Sequence, residues 1–179
     1  MYHTVIIGGG CLGAATAVSL QRKLNSIGKG EKVCLIEKAV LCAAESSRHS
    51  GIVRSANADP DASMMANLST EMWKDLSGIW GLKMELDEFG AIWIAKKNED
   101  GENPAWSELA ERMKKIDLKF EEISSKSAIS KCGTTLITDE NESYFFEPGA
   151  FQLDPSILRS TLYNAIDTNG VDLYEKTEV

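Results

Sequence analysis

Apolar positions change their spacing along the chain, and the changes mark the elements. Residues 2–8, YHTVIIG, are a short β-branched run closed by glycine, the pattern of a buried strand. Ala14, Ala15, Ala17, Val18 and Leu20 then recur at helical spacing, predicting a helix over 11–27 that stops at Gly28. After the turn KGEK, VCLIE (33–37) is a second buried strand. The first 37 residues therefore read as one βαβ unit, with parallel strands and a right-handed crossover. Residues 38–58 have no period; a stretch of that kind inside a compact domain is usually functional.

Periodicity returns at Asp59-Pro60, a cap and first turn, and a helix is expected to Leu82. Its stripe, Met64, Met65, Leu68, Met72, Leu76 and Ile79, reads as core packing rather than a metal or cofactor site. MELDEFGAIWIAKK (84–97) reads as two short strands about Glu88–Gly90, and NEDGENP as a polar loop. An amphipathic helix over 105–116, a strand LKFEEI (118–123) and a short helix over 125–131 follow. YFFEPGAFQLDP (144–155) is strand-like around Pro148-Gly149. The helix after it has Pro155 in its first turn and Gly170 past its end. VDLYEKTEV closes the chain as two strand fragments, and no repeat or low-complexity segment is present.

Composition narrows the function classes. The chain has 179 residues, 19 basic and 27 acidic, for a formal charge of −8. A net negative protein is repelled at long range by nucleic acid and by anionic membrane surfaces, so neither is expected as a partner. No apolar run approaches the roughly 20 residues that span a bilayer. The four cysteines, Cys11, Cys34, Cys42 and Cys132, form no CxxC pair and no metal spacing with the two histidines, His3 and His49. No metal site is expected. Unpaired thiols and the lack of a signal peptide favour the cytoplasm, or the mitochondrial matrix after processing.

The candidate chemistry begins at Gly8-x-Gly10-x-x-Gly13, between the first strand and the first helix. Gly8 permits the turn, Gly10 lets a diphosphate approach the backbone, and Gly13 lets helix pack on strand. Gly9 lies within the turn, and the amides of Cys11 and Leu12 stand at the positive end of the helix dipole. No Gly-Lys-Ser/Thr follows, which excludes a nucleotide triphosphatase loop. Glu37 ends the second strand 24 positions beyond Gly13. An acid there accepts bonds from ribose hydroxyls and repels a 2′-phosphate, which disfavours NADP. A simple βαβ turn with a surface glutamate is the plain structural alternative. A regular NAD domain would continue in β-α-β alternation, whereas here a long Ser/Ala/Arg/His segment follows Glu37.

VIIGGGCLGAATAVSL…VCLIEK resembles the N-terminus of flavoproteins of the D-amino-acid oxidase superfamily, in the sarcosine oxidase and dimethylglycine dehydrogenase branch. The Glu37-Lys38 pair is typical there. AAESSRHSGIVRS (43–55) resembles the family segment beneath pyrophosphate and flavin, and EFGAIWIA (88–95) the opening strand of its substrate domain. EPGAFQLDPSILRSTL (147–162) is similar to the return into the FAD domain. TEV matches the strand whose valine, here Val179, offers its backbone to adenine. The resemblance implies an α/β fold: a Rossmann-like FAD-binding βαβ domain with the start of a second, mainly antiparallel β substrate domain. It implies a first FAD-binding segment at 1–82, a substrate segment at 83–146 and a return at 147–179.

The same resemblance implies FAD as cofactor, with Gly8, Gly9, Gly10, Cys11, Leu12, Gly13, Glu37, Lys38, Ser46, Ser47, Arg48, His49, Gly51 and Val179 around it. Ser46 and Ser47 can donate to pyrophosphate oxygens and Arg48 can supply compensating charge. For His49 three roles stay open: covalent flavin attachment, hydrogen bonding beside the flavin, or a structural role. The residue before the attached histidine is normally aromatic in that branch, and here it is Arg48. Arg54 is either near the active site or a surface-strand arginine. No catalytic base is identified in residues 1–179; the family builds its catalytic face from a later half, so this chain is expected to be a fragment or truncated product.

The implied reaction is oxidation of the C–N bond of a secondary or N-methylated amino acid by hydride transfer to flavin N5. Electrons would pass to oxygen, or to a flavoprotein or quinone. The rivals are oxidation of a 2-hydroxy acid or glycerol phosphate, a non-catalytic nucleotide-binding subunit or pseudoenzyme, and an NAD-dependent dehydrogenase domain.

Overall fold

The computed structural model describes residues 1–57, 59–75, 86, 88–132 and 136–179. Backbone contacts divide it into two compact units, one of Met1–Gly51, Asp75–Glu85 and Leu153–Val179, the other of Ile52–Lys74 and Leu86–Gln152.

In the first unit, β1 (Tyr2–Ile7), α1 (Cys11–Ser26) and β2 (Lys32–Ile36) form the expected βαβ, with β1 and β2 parallel. On the other side of β2 lies β8 (Asp172–Tyr174), parallel to it, in the order β1-β2-β8 among the described residues. α5 (Pro155–Asn169) packs against α1. Asp154 caps α5 by accepting from the Ser156 amide at 2.7 Å, Pro155 stands in its first turn, and Gly170 ends it in the left-handed region at φ 78°. The core is Ala14, Ala17, Val18 and Leu24 of α1, Val33 and Leu35 of β2, and Leu158, Leu162, Ala165 and Ile166 of α5.

One buried polar group joins helix to sheet. The Gln21 side chain donates to Asn25 Oδ1 and Glu31 O, and its Oε1 accepts from the Val33 amide at 2.7 Å. Each of its polar atoms is therefore bonded, as burial requires.

The second unit holds a three-stranded antiparallel sheet in the order β4-β6-β5: β4 (Ala91–Lys96), β5 (Glu121–Ile123) and β6 (Glu142–Glu147). β3 (Ile52–Val53) pairs antiparallel with β7 (Phe151–Gln152). Among the described residues three helices accompany them: α2 (Pro60–Lys74), α3 (Pro104–Lys115) and α4 (Ser125–Cys132). Its core is Ala56, Met113, Phe120 and Phe145, walled by Trp93 and Trp106. Phe120 and Phe145 stack with centroids 5.5 Å apart, and Trp106 lies 5.6 Å from Phe145.

Several expectations are corrected. β1 is not buried: among the described residues it pairs only with β2, and Val5 is 50 % and Ile7 68 % exposed. The Met stripe of α2 is not core among the described residues: Met64, Met65, Leu68 and Met72 are 48–71 % exposed, while Ser63 and Thr70 are buried. α2 binds its surroundings through hydroxyls instead, Ser63 Oγ accepting from Asn57 N and Thr70 Oγ1 lying 3.2 Å from Ser55 Oγ. Leu76, Ile79 and the helix end at Leu82 lie outside the described residues, as does the expected boundary at 82/83.

Of the two strands expected over 84–97, one stands among the described residues, β4. Residues 88–90 are irregular, because Gly90 turns at φ 74° and donates to Ala150 O. Only 121–123 of the expected 118–123 strand pairs. The chain end has one strand fragment, not two. After Tyr174 the left-handed Lys176 (φ 52°) breaks the ladder, and Val179 is 78 % exposed outside any strand.

Candidate dinucleotide site

The glycine loop connects β1 to α1, and its shape follows from what a side chain there would strike. Gly8 turns out of β1 at φ 105°. A Cβ on Gly13 would lie 2.0 Å from Gly8 O, so only glycine allows α1 to start this close to the strand. Gly10 is the N-cap of α1, in extended conformation and without a side-chain cap of its own. The helix dipole and the first-turn amides make this end attractive to an anion.

The aperiodic segment after β2 clasps this loop at two points. The Cys42 amide donates to Gly9 O at 2.8 Å, and the Cys11 amide donates to Ser46 Oγ at 3.0 Å. Ser46 sits in a single 3₁₀ turn, Glu45–Ser47. Its hydroxyl caps α1 in place of Gly10 and keeps its own proton for a further acceptor. Ser47 spends its proton on Ala44 O. Cys42 is buried and left-handed at φ 57°, and burial raises its thiol pKa.

Glu37 faces the loop. Its Oε1 accepts from the Ala39 amide at 2.8 Å and its Oε2 from the Gly9 amide at 2.6 Å. These two bonds, Ala39 first, hold the carboxyl below its ordinary pKa. Each oxygen retains a lone pair, so an ionised acceptor with spare capacity stands beside the loop.

The segment carrying Glu37 is itself held from the far end of the chain. Glu37 N donates to Tyr174 O, Lys176 N to Ala39 O and Thr177 N to Glu37 O, each within 3.0 Å. Glu175 Oε1 accepts from the Leu41 amide at 2.7 Å and from the Tyr163 hydroxyl. Sequence reasoning missed Glu175, Tyr163 and Gln21; Leu41 and Glu175 are 134 positions apart, and no local pattern announces such a pair.

Among the other expected residues, Lys38, Arg48 and His49 are exposed. His49 Nδ1 accepts from the Gly51 amide at 2.9 Å, which leaves Nε2 as the protonated nitrogen of the neutral ring. Gly51 is buried, left-handed at φ 78°, and its carbonyl accepts from Leu153 N. All of the expected cofactor residues lie in the first unit, whereas Arg54 belongs to the second. There its Nη1 donates to Ala56 O at 2.7 Å and its guanidinium lies 4.4 Å from the Trp93 ring centroid.

The loop fits a diphosphate. A Cβ on Gly10 would crowd Ser46 Oγ at 3.2 Å, the hydroxyl that takes the Cys11 amide and keeps its own proton for an acceptor. Among the described residues no group of His, Cys, Asp and Glu is placed to hold a metal ion, and no helix is long and apolar enough to cross a membrane.

No curated protein matches this sequence. Solved structures do. L-proline dehydrogenase from P. horikoshii superposes with a TM-score of 0.81 at 21 % identity, over 99 % of this chain and 45 % of that one. Glycine oxidase from Geobacillus kaustophilus gives 0.78 at 21 %, over 99 % and 47 %, and L-amino acid deaminase from Proteus vulgaris gives 0.77 at 21 %, over 98 % and 40 %. The chain thus spans less than half the length of these structures. At such identities the likeness shows the fold, the α/β arrangement expected from the resemblance. The family follows from the sequence itself: residues 3–179 match the model of the FAD dependent oxidoreductases, and the chain belongs to that family.

Proposed function

We propose that this chain holds the ADP half of FAD and serves the oxidation of an amino acid at its C–N bond, a secondary or N-methylated one in the manner of sarcosine or dimethylglycine. The observation that carries the cofactor reading is the loop itself: α1 starts on glycines, Ser46 stands over its first amide, and ionised Glu37 waits beside it. Amino-acid chemistry is supported by the neighbours' names, a glycine oxidase, a proline dehydrogenase and an amino acid deaminase; proline is a secondary amine.

In this reading Gly8, Gly9, Gly10, Cys11, Leu12 and Gly13 cradle the diphosphate. Glu37 accepts from ribose hydroxyls through its free lone pairs, with Lys38 beside it, and Val179 offers its backbone to adenine. Ser46 donates its free proton to a phosphate oxygen, and Ser47, Arg48, His49 and Gly51 continue along the cofactor. Bound FAD supplies the hydride acceptor, its flavin N5. His49 presents Nε2 to the flavin end, by a hydrogen bond or a covalent link. Arg54 is held by Trp93 and Ala56 for a role at the substrate. Apart from Arg54, residues 1–82 and 147–179 serve the cofactor and 83–146 the substrate. Four free thiols among the described residues support a cytoplasmic or matrix location.

Titration of the purified chain with FAD, ADP and NAD, followed by fluorescence, tests the cofactor. Binding of FAD and ADP with little NAD binding is expected; preference for NAD, or no binding of any, refutes the reading. Acid precipitation separates the two roles of His49, since colour staying with the pellet marks a covalent link. A panel of N-methyl amino acids, 2-hydroxy acids and glycerol phosphate, with a dye acceptor and the complete enzyme, tests the substrate.

A further inference from the structure

A second feature stands beside the glycine loop, on α5. Ser47, Asp154, Pro155, Ser156, Arg159, Ser160 and Tyr163 line an open cleft of about 560 Å³ within the first unit. Its wall is shared with the loop's own clasp, because Ser47 follows Ser46, whose hydroxyl takes the Cys11 amide.

The hydroxyl protons of the cleft are already used. Ser47 donates to Ala44 O, Ser156 to Asp154 Oδ1, Ser160 to the carbonyls of Ser156 and Ile157, and Tyr163 to Glu175. Arg159 is different. No ion pair among the described residues engages it, and its guanidinium lies 5.7 Å from the Tyr163 ring centroid, a contact that leaves several N–H donors unspent. Its strongest side-chain interaction is with Tyr163, Glu175 behind that hydroxyl attracts it as well, and a weaker interaction reaches Cys42, the residue whose amide grips Gly9. Asp154, the other charge in the cleft, sits at the helix cap five positions earlier and spends Oδ1 on Ser156.

We infer that Arg159 is a further ligand of the cofactor's diphosphate, reaching from α5 over the 3₁₀ turn to the anion held by the glycine loop. The loop between Gly8 and Gly13 contains no cation. Backbone amides and a helix dipole orient a diphosphate but neutralise only part of its charge. A half-buried guanidinium on the neighbouring helix supplies the missing charge with fork geometry that lysine lacks. The inference rests on the cofactor reading above and adds a residue to it.

The test uses three probes on the full chain: FAD, ADP, and riboflavin, which has no phosphate. Arg159→Gln, checked by circular dichroism for an unchanged fold, is expected to weaken FAD and ADP about tenfold and to flatten the salt dependence of ADP binding. Riboflavin binding should not change, and Arg159→Lys should recover part of the loss. Equal ADP affinity and salt dependence in wild type and Arg159→Gln overturns the inference while leaving the cofactor reading intact. Failure of wild type to bind FAD or ADP overturns both, so the two failures are distinguishable.

Discussion

Gly13→Ala places a methyl carbon 2.0 Å from Gly8 O and 3.6 Å from Ile6 Cγ2. A relaxed carbon–oxygen contact needs about 3.3 Å, so α1 must retreat from β1 by roughly 1 Å. The atom struck is main chain and cannot swing aside as a side chain could. Overpacking costs about 1–3 kcal/mol, and this site belongs at the top of that range. Alanine returns up to about 1 kcal/mol of helix propensity, less in a first turn, so the net loss is roughly 2 kcal/mol. With a urea slope of about 1–3 kcal/mol/M, the unfolding midpoint should fall by about 1 M. Urea unfolding followed by far-UV circular dichroism measures it. Gly30→Ala is the control: nothing lies within 4 Å of its added Cβ and its φ is outside the left-handed region, so about 0.5 kcal/mol or less is expected. If the two variants share a midpoint, the close approach of helix and strand does not exist.

Glu37→Gln replaces one carboxylate oxygen by an amide group facing an N–H donor, and should cost about 1–3 kcal/mol at neutral pH. Because the folded carboxyl lies below its ordinary value, its contribution is full above the unfolded pKa and fades as pH falls through the folded one; wild type and variant should converge in acid, in urea midpoints across a pH series. Glu147 is buried and accepts from the Ser55 and Ala56 amides and from Trp93 Nε1, so Glu147→Ala strands three donors and should cost about 3 kcal/mol or more. Glu147→Gln, which keeps one oxygen for the two amides, should lose less; equal losses in thermal melts would remove the network argument. Leu68→Glu, on the exposed face of α2, should change stability by about 0.5 kcal/mol or less and raise solubility; a loss above about 2 kcal/mol would show a packed stripe.

What was legible in the sequence was local. The βαβ unit, the glycine turn, the caps of α5 and the acid at the end of β2 each declare themselves within a few residues, through φ, Cβ space and hydrogen-bond valence. Ser46 is legible only as part of an unperiodic segment that follows Glu37; that its hydroxyl accepts from the Cys11 amide and caps α1 was not read from the sequence. What the sequence did not disclose is carried by pairs far apart in it. Glu175 orders Leu41 across 134 positions, and Glu147 orders Ser55 across 92, and neither carboxylate has a neighbour that hints at its partner.

The misread burial has a different physical cause. Apolar periodicity reports which residues share a face, because the period is a property of the backbone; it does not report what covers that face. On α1 and α5 the faces meet each other and are buried, whereas on α2 the same spacing leaves Met64, Met65, Leu68 and Met72 in solvent while two small hydroxyl residues do the packing. β1 makes the point for strands: its β-branched run is as apolar as that of β2, yet β2 is flanked on both edges and β1 on one. A prediction separates face from cover. Val5→Thr keeps β propensity and removes apolar area from the exposed face of β1, so it should leave the unfolding free energy in urea within about 0.5 kcal/mol of wild type and slow aggregation. The same exchange at Val33, fully buried in β2, should cost more than about 1 kcal/mol, because its hydroxyl finds no water. Equal costs at the two positions would mean that the Val5 face of β1 is covered.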